Sequence, residues 1–365
     1  MIRVEDRKIG TREMFAIIYL GIGINITDAT PNLLFDIGST ATWMMPIFSG
    51  IAMGVPFLLL LPLLKKYNIG LIEISQQLTG KFLSGILTFV MFASVFVSMV
   101  INSRTYVDIV ITMYYPNSPT PALMFVFIVV TVLYIARQGL DIISRAGWIF
   151  SPIMLSLSIL LIILVASALN PSLIFPFAGP GMLPVLKGSI GYSSFFSDVI
   201  LVCALFSYVR SYESFRTGVL LGFGLSIIKM SVYIAAFIMM FDYSSVENIA
   251  FPYHHFTRMA MLTTLANHIE AVFLAAWFMG AAFHFGIYLF VTAFLLGRLI
   301  QIKNFERLLL PLAGLTMFLG LLQENLYQEI LAREIFLQSI SGFFILYPFV
   351  LWGVDLVKSR KKKKK

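Results

Sequence analysis

Ala16-Ile17-Ile18-Tyr19-Leu20-Gly21-Ile22-Gly23-Ile24-Asn25-Ile26-Thr27-Asp28-Ala29-Thr30-Pro31 is apolar enough to enter a membrane and too interrupted to cross it as one helix. Two glycines, an asparagine, two threonines, an aspartate and a proline fall between positions 21 and 31. Glycine and proline weaken or break a helix, and an aspartate facing lipid costs several kcal/mol. A discontinuous helix would use all of them. Its freed backbone groups would line a cavity, with a half-helix N-terminus facing an anionic group such as a carboxylate. The alternative is a kinked helix whose glycines pack against neighbours. On the first reading Gly21, Gly23, Ile24, Asn25 and Thr27 line a ligand site.

Outward from this stretch, runs of about 20 mostly apolar residues place ten spans at 13–36, 41–64, 82–111, 121–137, 146–169, 187–209, 215–241, 267–297, 307–322 and 335–357. The expected class is an all-α integral membrane protein. Charge gives the orientation. With both termini inside, the inner segments hold 21 of the 26 basic residues, from Arg3 and Arg7 to the lysine run 361–365. Only Lys187, Arg258 and Arg333 fall outside, and Arg104 and Lys229 fall within spans. Such a bias orients the chain with cytoplasmic ends.

At 59% hydrophobic and 12% charged, with mean hydropathy +0.90, the 365 residues leave no room for a separate soluble domain. The net charge of +8 sits in short turns and a terminal tail, 358–365, where it attracts anionic membrane lipids rather than nucleic acid. One cysteine, Cys203, excludes an internal disulfide, and no cleavable signal is evident, so the first span serves as insertion signal. Nucleophile elbows, phosphate-binding glycine loops and hydrolytic carboxylate pairs are missing, which points away from an enzyme. His254, His255 and His268 lack ligand-like helical spacing, so no metal and no cofactor are expected.

The proline- and glycine-rich connection 170–184 divides the spans five and five. Halves with an odd number of spans have opposite orientations, the topology of an inverted repeat, here 13–169 and 187–357 within one transmembrane domain. Span six carries the counterpart of the opening stretch: Gly188, Gly191, Ser193, Ser194, Phe195, Ser197 and Asp198. Asp198 lies near mid-membrane, where it faces a ligand or ties helices together by a hydrogen bond. Lys229, in the middle of span seven, needs an acid, and Asp198 is the ionisable acid at similar depth; the two are expected to pair. In span three, Arg104 and Asp108 at i, i+4 form either a self-neutralised pair or an outer gate, with Asn102 a plausible site-lining group. His284 could carry a proton or simply pack. The outer segment 242–267, with Phe251-Pro252-Tyr253-His254-His255-Phe256, reads as a short lid or a partner contact.

These features resemble the spore-germination permease family, the membrane-embedded B subunits of nutrient germinant receptors, within the amino acid/polyamine/organocation transporter superfamily. The resemblance rests on Gly21-x-Gly23 with Pro31, on Leu183-Pro184-Val185-Leu186-Lys187-Gly188, and on Phe195-Phe196-Ser197-Asp198. Phe251-Pro252 and the Asn267-to-Trp277 opening of span eight complete it. It implies a fold of the leucine-transporter type, with spans one and six unwound at mid-membrane and spans three and eight lining the site. It also implies a polytopic A subunit and a lipoprotein C subunit as partners in the spore inner membrane, and a small nutrient, an amino acid, sugar or nucleoside, as ligand. Relatives have glycine followed by glutamate where this chain has Ser197-Asp198, an acid one methylene shorter. The competing expectation is a proton- or sodium-coupled amino acid or amine transporter, with Asp198, Lys229 or His284 in coupling.

Overall fold

The computed structural model describes residues 8–260, 269–323 and 325–363. Arg3, Arg7, Met261, Asn267, His268, the start of span eight and the last two lysines of the tail lie outside them. In chain order the helices are α1 (Thr11–Gly23), α2 (Thr30–Gly38), α3 (Met45–Tyr67), α4 (Leu71–Thr79), α5 (Lys81–Met113), α6 (Thr120–Met124), α7 (Leu133–Arg137) and α8 (Leu140–Val165). The second part adds α9 (Met182–Gly191), α10 (Asp198–Leu201), α11 (Tyr212–Phe241), α12 (Tyr243–Val246), α13 (Pro252–Met259), α14 (Ile269–Leu299), α15 (Leu309–Leu321) and α16 (Leu326–Lys363). The described residues contain no sheet, only an isolated bridge pairing Ile9 with Val209.

Seven helical segments among the described residues are long and apolar enough to cross a membrane: 30–67, 81–113, 120–137, 140–168, 212–241, 271–299 and 326–360. Three of the ten expected spans take another form. The first is cut between Gly23 and Thr30, and Pro31 starts the second piece where its missing N–H is harmless. Ser39, at φ 47°, then turns the chain through a 3₁₀ stretch, Ser39–Met44, into α3. The sixth is cut after Gly191 into α9, a 3₁₀ turn Ser193–Phe196, α10 and a further 3₁₀ stretch Val202–Tyr208. The ninth is α15, 13 residues long. The tenth begins at Leu326 rather than 335, so Arg333 lies inside a helix instead of in an outer loop.

Packing follows the small residues. Gly218 and Gly222, one turn apart on α11, meet α1 so closely that a Cβ would lie 2.5 Å from the Thr11 carbonyl oxygen or 2.9 Å from that of Phe15. This is the small-xxx-small seam by which membrane helices bring their backbones together. On α14 a Cβ at Gly286 would meet Ile135 at 2.5 Å, and the apolar window of this helix is 83% buried, against 33% for α8. α14 is therefore a central pillar, while α8 presents Ile149 and Ile163 outward as a lipid-facing helix does. α16 runs for 38 residues with Pro348 inside it, and near its far end Asp355 accepts from Lys66 at 2.6 Å and from Tyr67 at 2.6 Å.

Candidate functional site

The two interruptions face each other and are tied directly: Asn25 Nδ2 donates to the Phe195 carbonyl at 3.0 Å. α16 braces both. Ser194 donates from its amide to Ser341 Oγ at 3.0 Å and from its hydroxyl to the Leu337 carbonyl at 2.8 Å. One turn earlier on the same helix, Arg333 Nη1 donates to Asp28 Oδ2 at 2.8 Å and to Thr30 Oγ1 at 3.2 Å, and Nη2 donates to Thr105 Oγ1 at 2.7 Å. Thr105 in turn donates to Glu329, whose carboxylate lies 3.6 Å from Arg333 Nη2. Asp28 Oδ1 accepts from the Thr30 amide at 2.7 Å, so one carboxylate satisfies the first amide of α2 and pairs with arginine at once. Asp28, Glu329 and Arg333 are 1%, 0% and 4% exposed. Groups so buried persist only as a network, since a charge stripped of water and left unpaired costs several kcal/mol.

A cavity of about 40 Å³ sits against this network. Asn25, Asp28, Thr30, Asn102, Ser194, Phe195 and Arg333 line it, with Ser94, Ser98, Ser197 and Tyr288. Beyond it, a cavity of about 30 Å³ is bordered by Gly21, Asp198, Leu205 and Tyr288, and a third of about 600 Å³ by Glu73, Lys81, Tyr208, Arg298 and Lys303. The three follow one another along α5, α14 and the 198–208 segment. Arg298 bridges Glu73 at 3.1 Å on the wall of the largest.

Of the expected ligand residues, Asn25, Asn102, Ser194 and Phe195 line the central cavity. Gly21 and Asp198 border the second one, where Tyr288 donates to Asp198 at 2.9 Å. Gly23, Ile24, Thr27 and Ser193 do not line the central cavity. Gly23 faces Tyr19, Ser226 and Lys229; Ile24 packs on Gly280; Thr27 accepts from Trp277 Nε1 at 3.0 Å; Ser193 donates back to Ile190 at 2.9 Å. The expected Asp198–Lys229 pair does not form. Lys229 Nζ donates to the Gly23 carbonyl at 3.0 Å and lies 5.4 Å over the Tyr19 ring, while Asp198 lies by Gly21. Gly21 and Gly23 are about 200° apart around α1, so the helix stands between the two charges.

Arg104 and Asp108 pair through Nε at 2.9 and 3.0 Å and take no part in the cavity. His284 is fully buried, its ring 4.1 Å from that of Tyr288. The residues that sequence reasoning missed are Arg333, Glu329, Thr105 and Tyr288, together with the ion-pair role of Asp28. The i, i+4 spacing of Glu329 and Arg333 was the available signal, and counting Arg333 as an outer charge hid it.

Against the break lies the segment expected as a lid or a partner contact. His254 of α13 is buried, meets Trp277 edge-on at 4.8 Å and shares a 3.0 Å hydrogen bond with Tyr114. Burial pushes its pKa down to about 3, with His255 and Arg258 adding in the same direction. Trp277, stacked on Tyr106 at 5.3 Å, links this helix to Thr27.

The arrangement can hold a small polar solute between fixed charges of both signs. The outward-open, substrate-bound structure of a Na⁺-coupled sialic acid symporter superposes with a TM-score of 0.62 over 95% of this chain and 78% of that one, at 11% identity, so the fold is of that transporter type. Spore germination protein KB of Bacillus subtilis (strain 168) is 21% identical over 268 residues, 72% of each chain. A profile of the spore germination protein family matches residues 8–328, and the chain, an integral membrane protein of permease type, belongs to that family.

Proposed function

We propose that this chain is the membrane-embedded B subunit of a nutrient germinant receptor, and that it binds a small zwitterionic nutrient, an amino acid, between the broken first and sixth spans. The observation that carries this reading is the buried Asp28–Arg333 pair on the wall of a 40 Å³ cavity shared by both breaks. A water needs roughly 10–15 Å³ of such space, so the volume suits a compact amino acid headgroup better than a sugar ring or nucleoside. Arg333 Nε has no hydrogen-bond partner among the described residues, and a ligand carboxylate would take it. The ligand ammonium would meet Asp28 and the hydroxyls of Ser94, Ser98 and Ser194. A ligand that trades these contacts for the internal pair binds one conformation better than the other, which is the condition for signalling.

The topology that goes with this reading is ten crossings in two inverted five-span repeats, 13–169 and 187–357, with α1 and α2 as the first crossing and α15 as the ninth. Both ends face the cytoplasm, in the inner membrane of the spore, as the excess of basic residues in alternate connections supports. A polytopic A subunit and a lipoprotein C subunit read out the conformation. The chain senses and does not catalyse a reaction.

A transporter is the second reading, favoured by the three cavities aligned from the central site to the end bearing Lys81, Arg298 and Lys303. One experiment separates the two. Thermal shift of the purified protein across amino acids, sugars and nucleosides finds the ligand, and proteoliposome uptake follows. Binding of an amino acid without uptake supports the receptor; concentrative uptake driven by a proton or sodium gradient overturns it. Failure of every amino acid to bind refutes the zwitterion site.

A further inference from the structure

We infer that Lys229 supplies, from the protein itself, the cation required at the carbonyl end of the broken first helix, so that neither the break nor the ligand site depends on sodium. The last carbonyls of α1 have no intrahelical donors, and the aligned peptide dipoles leave about half a negative charge there. Turn amides take two carbonyls at this end, Asn25 N donating to Ile22 at 3.1 Å and Thr27 N to Ile24 at 2.9 Å; the Gly23 carbonyl between them is left for a cation or a water. Lys229 meets it: the ammonium nitrogen lies 3.0 Å from the Gly23 carbonyl and over the face of Tyr19.

The side chain is built into this place. The Gly218–Gly222 seam brings the α11 backbone against α1, and Ser226, one turn on, turns its hydroxyl back to the Gly222 carbonyl at 2.9 Å, leaving Gly23 to the lysine. Among the described residues no carboxylate pairs with Lys229. Asp198 is held by Tyr288 on the other side of α1, and Asp28 and Glu329 are engaged by Arg333. The opposite cut end shows the complementary device, since the Asp28 carboxylate accepts from the first amide of α2. Each end of the break thus carries a fixed side-chain charge of the sign its dipole calls for.

In the ligand-free protein Lys229 plays this part whether or not a nutrient binds; the sodium independence of binding rests on the proposed amino acid site. The test is the unfolding temperature of purified wild type, Lys229→Ala, Lys229→Met and Lys229→Arg in sodium, methylammonium and choline chlorides. Wild type and Lys229→Arg should unfold at the same temperature in all three. Lys229→Ala should be lower in choline and recover in sodium or methylammonium, which fit the vacated space, and Lys229→Met, whose apolar chain fills that space, should not recover. Wild type stabilised by sodium over choline overturns the inference, as does Lys229→Ala unfolding alike in all three salts. If Lys229→Ala cannot be purified, wild type and Lys229→Arg decide. With ligand added, wild-type affinity should be unchanged by the salt, and Lys229→Ala should bind about tenfold more weakly in choline. Absence of ligand binding in every salt, with the unfolding pattern as expected, would fail the nutrient site and leave the role of Lys229 standing.

Discussion

Replacing Arg333 by methionine removes the cation that stands between two fully buried carboxylates. Arg333 Nη1 stands 2.8 Å from Asp28 and Nη2 3.6 Å from Glu329, and both distances are short enough for strong coupling in a low-dielectric interior. Removing one partner of a buried pair costs about 3–5 kcal/mol, because the survivor stays buried without its counter-charge. Here two acids survive, so Arg333→Met belongs at the upper end, roughly a 5 × 10³-fold shift toward the unfolded state. Asp28→Asn is milder: its one carbonyl oxygen can still accept from the Thr30 amide, but its NH2 then faces Arg333 and that charge-assisted bond is lost, at a cost of about 1–3 kcal/mol. The double variant should lie above the sum of the two losses by about 0.5–3 kcal/mol, the range measured for contacting residues. Unfolding in detergent, followed by size-exclusion of heated samples, gives all four corners of the cycle. Strict additivity, or an Arg333→Met protein as stable as wild type, would refute the network.

Asp198→Asn and Lys229→Met should show losses that add within about 0.5 kcal/mol, because α1 separates the two side chains; recovery in the double variant would mean that they meet. Asn25→Leu should abolish ligand response while leaving protein abundance within twofold, as it severs the Phe195 tie and fills the cavity; a normal dose response would contradict the site. Gly23→Ala should be tolerated, since its Cβ would meet Ser226 Oγ at 3.6 Å and Lys229 Nζ at 3.8 Å, ordinary contacts, whereas Gly23→Leu should lose response. His254 has a pKa depressed from 6.5 to about 3 by burial, so its contribution to stability is complete above pH 6.5 and declines as pH falls from there toward 3. Thermal stability should therefore drop between pH 7 and 5, and less in His254→Phe; equal drops would place the acid sensitivity elsewhere.

Both breaks were legible because glycine, proline and aspartate act on the backbone locally, within a few residues of where they stand. Asn25, Asn102, Ser194 and Phe195 were found for the same reason: they flank those breaks or lie on the helix beside them. The ion pair at the centre of the site was not legible, since Asp28 and Arg333 are 305 residues apart and no local pattern joins them. Counting charges by span assigned Arg333 to a connection because the polar start of α16 does not look like membrane helix. Lys229 was recognised as needing a partner, but the partner proved to be the backbone of Gly23, which no inventory of acidic side chains can reveal.

α16 holds Arg333 at one end and Asp355 at the other, 22 residues and about 33 Å apart along one helix. Between them stands Pro348, where the backbone has given up a hydrogen bond and can bend. A helix clamped at both ends and softened in the middle behaves as a lever with a fulcrum. On the proposed reading, a solute that took the place of the aspartate on Arg333 would release that arm, and the load would pass through the proline to the grip of Asp355 on Lys66 and Tyr67. A solute no larger than a few waters would then move a helix long enough to cross a bilayer.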